Sequence, residues 1–227
     1  MNKFLVCAGI NGSETALKKL LTLAEERKPD AILFAGGIAD SNGNTPQKAT
    51  FIAQFFEAIG KSGFFTIVIP GPNDAPLSEF LRAALNAEVI FPNIRVSHAT
   101  PVSKGALGVS GVGGVITESE DVGGPVIKYS HTSAEYLLRT LWSMTKPVKV
   151  LLLSETPPGK LSSNGGNSFV REFIGSYHPS ICVVAGDKEH RGFEQEAHGF
   201  VINPGMLSEG SAAWLDRLAR KVEMIDL

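Results

Sequence analysis

Phe64-Phe-Thr-Ile-Val-Ile-Pro-Gly-Pro-Asn-Asp-Ala-Pro76 is the stretch from which the fold can be read. Residues 64–69 are an apolar run of aromatic and β-branched side chains, the composition of a strand buried on both faces. The run stops at Pro70-Gly71-Pro72, where two prolines remove backbone donors and a glycine permits a sharp turn. Asn73 and Asp74 follow, and a helical pattern starts near Pro76. In an α/β sheet, ligands bind in the crevice beyond the carboxyl ends of the strands. Asn73 and Asp74 are therefore either cleft residues, or a turn residue and a helix N-cap.

The same layout recurs on both sides of this stretch. Upstream, residues 4–8 read as a buried strand, followed by the tight loop Gly9-Ile-Asn-Gly-Ser13. Ser13 caps a helix with Leu17, Leu20, Leu21 and Ala24 on its apolar face. Residues 31–35 are a second strand closed by Gly36-Gly37. Thr45-Pro46 opens a second helix, with Phe51, Ile52, Phe55, Phe56 and Ile59 inward. This is β-α-β-α-β, with crossovers long enough for parallel pairing.

Downstream, Phe80, Leu81, Ala84 and Leu85 are the expected buried face of the helix after Pro76. Glycines at high density between residues 108 and 115 suggest bulges or close backbone approach. Thr132-Ser-Ala-Glu135 has the form of a capping box, opening a helix that turns Leu137, Leu138, Leu141 and Trp142 inward. Residues 148–153 and 181–185 are further buried strands, separated by a polar loop and a helix through Phe169, Val170, Phe173 and Ile174. A strand over 199–203 follows, and a closing hairpin over 212–218 and 221–225. The pattern predicts one α/β domain over residues 1–227, a four-layer α/β/β/α sandwich of two mixed sheets.

Bulk properties exclude several classes of function. Apolar residues at 43% and charged residues at 19% support a sizeable core and argue against wholesale disorder. A net charge of -2 gives no footprint for nucleic acid and no basic stretch for an anionic membrane. No apolar run approaches the roughly 20 residues needed to span a bilayer. Cys7 and Cys182 lie within strand-like runs and read as buried thiols. The expectation is a soluble, cytoplasmic protein that does not bind nucleic acid or membrane; a homo-oligomer is compatible with it.

The strand ends deliver Gly9 and Asn11, Gly37 and Asp40, Asn73 and Asp74, Glu155, and Asp187, Glu189 and His190. Five such segments point to a shared cleft. Their order resembles the calcineurin-like metallophosphoesterases over residues 4–205. Val68-Ile-Pro-Gly-Pro-Asn-Asp74 is similar to the family's Gly-Asn-His-Asp segment, and Leu152-Leu-Ser-Glu-Thr-Pro-Pro158 to its His-x-Pro-Pro segment. Ala185-Gly-Asp-Lys-Glu189 and Asn203-Pro-Gly205 resemble its Gly-His-x-His and Asn-Pro-Gly segments. The resemblance is to a divergent branch with degenerate metal-ligand motifs. Gly9 and Asn11 stand where the family has its first Asp and His, and Gly37 stands at the bridging Asp. Pro72 and Asn73 stand at the metal-binding Asn and the catalytic His. Asp74 is retained, while Glu155, Asp187 and Glu189 replace the later His ligands.

The expected site then has Asn73, Asp74 and His190 as catalytic candidates and Asn11, Glu155, Asp187 and Glu189 as metal ligands. Asp40, Gly71 and Gly186 are expected to shape or contact a ligand. An all-oxygen donor set suits a hard cation, Mg²⁺, Mn²⁺ or Ca²⁺. Equally, the acids are solvated loop residues neutralised by Lys188 and Arg191. Three readings stand: a weakly hydrolytic or non-hydrolytic protein binding a small phosphorylated ligand or a cation; a phosphoesterase with an oxygen-rich metal site; and a structural or scaffolding protein.

Overall fold

The computed structural model describes residues 1–121 and 123–227. Strands β1 (Lys3–Cys7), β2 (Ala31–Phe34), β3 (Thr66–Val68) and β4 (Ile94–Val96) pair in parallel, in register from Phe4↔Ala31 through Thr66↔Ile94. The C-terminal hairpin of β13 (Ser211–Asp216) and β14 (Lys221–Asp226) joins antiparallel to β1, giving the order β14-β13-β1-β2-β3-β4. The second sheet takes β5 (Val102–Lys104), β6 (Leu107–Val112), β9 (Val148–Leu153), β10 (Ile181–Val184), β11 (Gly192–Gln195) and β12 (Phe200–Asn203), in the order β11-β12-β10-β9-β6-β5. Its two edge strands are antiparallel and its four central strands parallel. A short parallel pair, β7 (Val115–Thr117) with β8 (Lys128–Ser130), stands beside it.

Strand alternation separates the layers. In β1, Phe4 and Val6 point between the sheets, where they meet Val150 and Leu152 of β9 and Ile181 and Val183 of β10. Leu5 and Cys7 point outward, under α1 (Glu14–Arg27), α2 (Thr45–Ser62) and α3 (Leu77–Ile90). On the other sheet, Leu151, Leu153, Cys182 and Val184 meet α4 (His131–Leu138), α5 (Thr140–Ser143) and α6 (Ser168–Tyr177). Both faces of each sheet are covered, which is why the central strands read as continuous apolar runs. The α/β four-layer sandwich of two mixed sheets is thus the fold observed.

Some local expectations need correcting. The α2 N-cap is Asn44, in a reciprocal capping box with Gln47 at 3.0 Å each way. Ser130, not Thr132, caps α4, and the helix breaks at Arg139 before α5 resumes. The break puts Trp142 out of phase with the core and leaves it 63% exposed. On α3 the buried face is Phe80, Ala84 and Ala87, while Leu81 and Leu85 face outward. Phe51 and Leu21 are half-buried at the margin of the core. Strand β11 lies in a stretch to which the sequence pattern assigns no element. Among the described residues, no helix is long and apolar enough to cross a membrane.

Candidate functional site

The parallel strands aim their carboxyl ends at one rim, and loop backbones close against each other there. Gly9 N–H donates to Gly36 O at 2.9 Å, Asn11 N–H to Gly37 O at 2.9 Å, and Leu207 N–H to Ala8 O at 2.8 Å. Asp74 fastens this arrangement from beneath. Its fully buried carboxylate accepts from Gly71 N–H at 2.7 Å, Ala39 N–H at 2.6 Å, Ile38 N–H at 2.9 Å and Gly37 N–H at 3.2 Å. Burial pushes the carboxyl up, and these four donors pull against that rise. Asp74 neither caps α3, whose N-cap is Pro76, nor reaches a solvent-accessible cleft. Its chemistry is spent on tying the loop after β2 to the loop after β3.

The backbones above Asp74 are packed to contact. A Cβ on Gly71 would lie 2.3 Å from Gly37 N, and one on Gly37 would lie 3.0 Å from Gly9 Cα. Gly9 and Gly37 take φ of +64° and +76°, a region that favours glycine. Met206 lies over Gly9, its Cγ 2.9 Å from where a Gly9 Cβ would stand. Asn11, at φ +50°, turns its amide to Ser208 Oγ at 3.1 Å and Met206 Sδ at 3.5 Å. Asp40 is exposed, accepts from Asn42 N–H at 3.0 Å and stays in its own turn, outside the cleft. Asn73 is half-buried and likewise lines no part of the cleft.

The open cleft lies to one side, at the rim of the second sheet. It has a volume of about 740 Å³, with Glu155, Asp187 and Gly186 in its wall. The Glu155 carboxylate accepts from Ile116 N–H at 2.6 Å and Asn167 Nδ2 at 2.9 Å. Burial raises its pKa, opposed by those two donors. Asp187 accepts from both the backbone N–H and the Nδ1 of His190, each at 2.8 Å. Partial burial pushes Asp187 up, but the Ser163 hydroxyl and His190 outweigh it and hold the carboxyl below the usual range. Asn203 holds this turn through Nδ2, which donates to the carbonyls of Leu161 and His190 at 3.2 and 3.1 Å. Gly186 admits that amide, since a Cβ there would meet Asn203 Nδ2 at 2.4 Å.

The expected four-residue donor set does not converge. Glu155 and Asp187 share the cleft, whereas Asn11 is engaged elsewhere and Glu189 is exposed outside it. Among the described residues, no group of three His, Cys, Asp or Glu side chains is placed to hold a metal ion. His190 stands at the edge, paired to Asp187. Sequence reasoning missed Asn167, which caps α6 through Oδ1 while its Nδ2 binds Glu155 and Ile116 O. An Asn just ahead of an apolar helix was the available sign of the cap, but nothing in the sequence announced its second bond. Thr117, Thr156 and Ser162 also line the wall without a motif to mark them.

A fold of this topology, with strand-end loops meeting at one rim, belongs to the metallophosphoesterases of the calcineurin superfamily, and the chain is a member: the family's model matches residues 42–227. The chain is also similar to TT1561 of Thermus thermophilus, at 31% identity and a TM-score of 0.88, over 99% of this chain and 98% of that one. A dimetal phosphatase from Danio rerio, at 11% identity and a TM-score of 0.62, shares the fold over 99% of this chain and 98% of its own. An archaeal phosphodiesterase does so at 10% identity and a TM-score of 0.54, over 99% of both chains. Comparison with curated proteins gives no match.

The residues present do not fit the divalent metal pair that the family implies. A two-metal site clamps cations about 3.5–4 Å apart, and such a clamp needs side-chain donors from several loops. Here Gly9, Gly37 and Pro72 offer none, and Asp74 is consumed by backbone donors. The space a Gly37 side chain would enter is already bounded by Gly9 Cα.

Proposed function

We propose that this chain is a binding member of its superfamily, with a degenerate site that hydrolyses phosphoesters weakly or not at all. The contact of the Gly9, Gly37 and Gly71 backbones carries this reading, because it fills the position from which a bridging ligand would act. The neighbouring cleft supplies the binding capacity. Among the described residues, its wall holds Glu118, Glu155 and Asp187 with hydroxyl and amide groups, and no Lys or Arg. That lining favours a cationic or hydroxyl-rich guest over a phosphorylated one, because a phosphate brought there would meet like charge. The test is hydrolysis of an aryl phosphodiester with Mn²⁺. Rates near background are expected. Turnover of several per second, within the ordinary enzymatic range, that disappears in Glu155→Ala would overturn the reading.

A further inference from the structure

Two histidines meet where β10 and β12 begin, at the ends of these parallel strands remote from the cleft, which borders Ala185 and Gly186. Helix α6 ends at Tyr177. His178 caps it in the left-handed region, at φ +46°, with its N–H donating to Ile174 O at 3.1 Å. Pro179 follows and cannot continue the helix. On the hairpin between β11 and β12, Glu196 N–H donates to Gly199 O at 2.8 Å and closes the turn that carries His198. The two turns are locked together. Phe200 N–H donates to Ser180 O at 3.2 Å, and a Cβ on Gly199 would lie 2.2 Å from that same oxygen. Backbone contact thus fixes His178 beside His198, with ring centres 4.5 Å apart and planes tilted by 51°.

That spacing matches two ligands of one ion. A metal–nitrogen bond of about 2.0–2.1 Å puts an imidazole centre about 3.2 Å from the ion, so two rings at a right angle around it stand about 4.5 Å apart. Right-angled nitrogen donors belong to the tetragonal geometry of Cu²⁺ and Ni²⁺, and imidazole suits these ions and Zn²⁺, whereas Mg²⁺ and Ca²⁺ take oxygen donors. The two rings share the wall of a hollow of about 240 Å³ with Glu196. The charges beside it favour a cation. Arg171 Nη1 meets Glu196 at 2.6 Å and its Nη2 meets Glu194 at 3.1 Å, one guanidinium against two carboxylates. Both histidines are exposed, so an ion reaches them directly from solvent.

We propose that His178 and His198 form an exchangeable surface site for a late first-row divalent cation, Cu²⁺ ahead of Ni²⁺ and Zn²⁺, with water in the remaining positions. The site is independent of the cleft and of catalysis. Titration with Cu²⁺ at micromolar protein concentration tests it. Wild type should bind one equivalent most tightly, and its frozen-solution electron paramagnetic resonance spectrum at that point should show splitting from two imidazole nitrogens. His178→Asn keeps a residue that tolerates left-handed backbone. It and His198→Gln should each weaken binding at least about tenfold, the lower bound for disturbing even a hydrogen-bond partner of a metal ligand. Glu155→Gln/Asp187→Asn should bind Cu²⁺ as wild type does, and millimolar Ca²⁺ or Mg²⁺ should not displace it. Splitting from fewer than two nitrogens in wild type overturns the proposal, whether or not the variants fold. So does binding that is unchanged in either histidine variant, that falls in the cleft variant, or that yields to Ca²⁺ or Mg²⁺.

Discussion

A carboxylate sealed from water survives only where donors surround it, and Asp74 has four of them. Replacing it with Asn exchanges one acceptor oxygen for an amide that faces N–H groups. Asp74→Asn is expected to cost about 2–4 kcal/mol, the scale of a charged hydrogen bond lost together with donors left unsatisfied, measured as a fall in the urea midpoint. The glycines above it are constrained by backbone contact. Gly37→Asp, which adds an acid where the resemblance puts the bridging one, places its Cβ 3.0 Å from Gly9 Cα at φ +76°. The variant should lose about 1–3 kcal/mol to strain and gain no Mn²⁺-dependent hydrolysis. A stable, active Gly37→Asp would show that the loops can open to admit a metal. His98 makes a separate prediction. Its Nδ1 accepts from Gly113 N–H at 3.1 Å and its Nε2 meets Tyr129 Oη at 2.7 Å. Burial holds its pKa down at about 4, against 6.5 when exposed. The unfolded chain therefore takes up a proton that the folded chain refuses, so stability is full above pH 6.5 and falls as pH drops towards 4. The loss should be on the order of 3 kcal/mol, and His98→Gln should flatten that part of the pH–stability curve.

At the scale of elements, apolar periodicity located the helices but not always their phase. On α3 both Phe80, Ala84, Ala87 and Leu81, Leu85, Val89 make continuous apolar rows. Only the packing of α3 against α2 and the sheet shows that the first row is core, with Phe80 and Phe56 rings 5.6 Å apart. Trp142 was misassigned for a different reason. The pattern ran on through Arg139, but the backbone breaks there and rotates the last turn outward. Phe55 and Trp142 therefore make a matched test. Phe55 is fully buried, with its ring 5.1 Å from Phe34 and 5.5 Å from Phe56. Phe55→Ala should cost about 3–5 kcal/mol. Trp142→Ala loses one edge contact with Tyr177 and should stay within about 0.5 kcal/mol of wild type. Comparable losses at both positions would mean that the α4–α5 break is absent in solution.

Across the whole molecule, the two-sheet architecture was legible because strands buried on both faces leave continuous apolar runs closed by Gly and Pro, and these follow one another along the chain. Of the five strand-end segments read as one cleft, Glu155 and Asp187 line a common wall, while Gly9 and Gly37 pack against each other beside it. What each side chain does there was not legible, because Asp74, Asn11 and Asn167 are placed by backbone groups and neighbours far away in sequence. The same limit applies to the acids: Glu155 and Asp187 share a wall, and Glu189, one residue from His190, does not. That geometry leads to a test of the cleft's guest. Burial raises the folded pKa of Glu155, so the folded chain holds a proton more readily than the unfolded one. Stability should then decline as pH rises from the unfolded carboxyl value towards the folded one, and a cation in the cleft should offset the decline. Thermal melts at pH 7, with chelator and with millimolar Ca²⁺, Mg²⁺, Mn²⁺ or inorganic phosphate, compare wild type with Glu155→Gln/Asp187→Asn. At a tenfold excess over Kd, a bound cation should raise the wild-type Tm by about 3–6 °C and leave the double variant unmoved. Phosphate should raise neither. Without cation the two substitutions should oppose each other at pH 7: burial disfavours the Glu155 charge, so Glu155→Gln alone should melt above wild type, whereas Ser163 and His190 favour the Asp187 charge, so Asp187→Asn alone should melt below it. If the two melt alike under every condition, the acids are ordinary solvated groups and the cleft's guest is recognised by its hydroxyls and amides alone. If phosphate stabilises wild type, the preference for a positive guest is wrong and the cleft takes an anion despite its acidic wall.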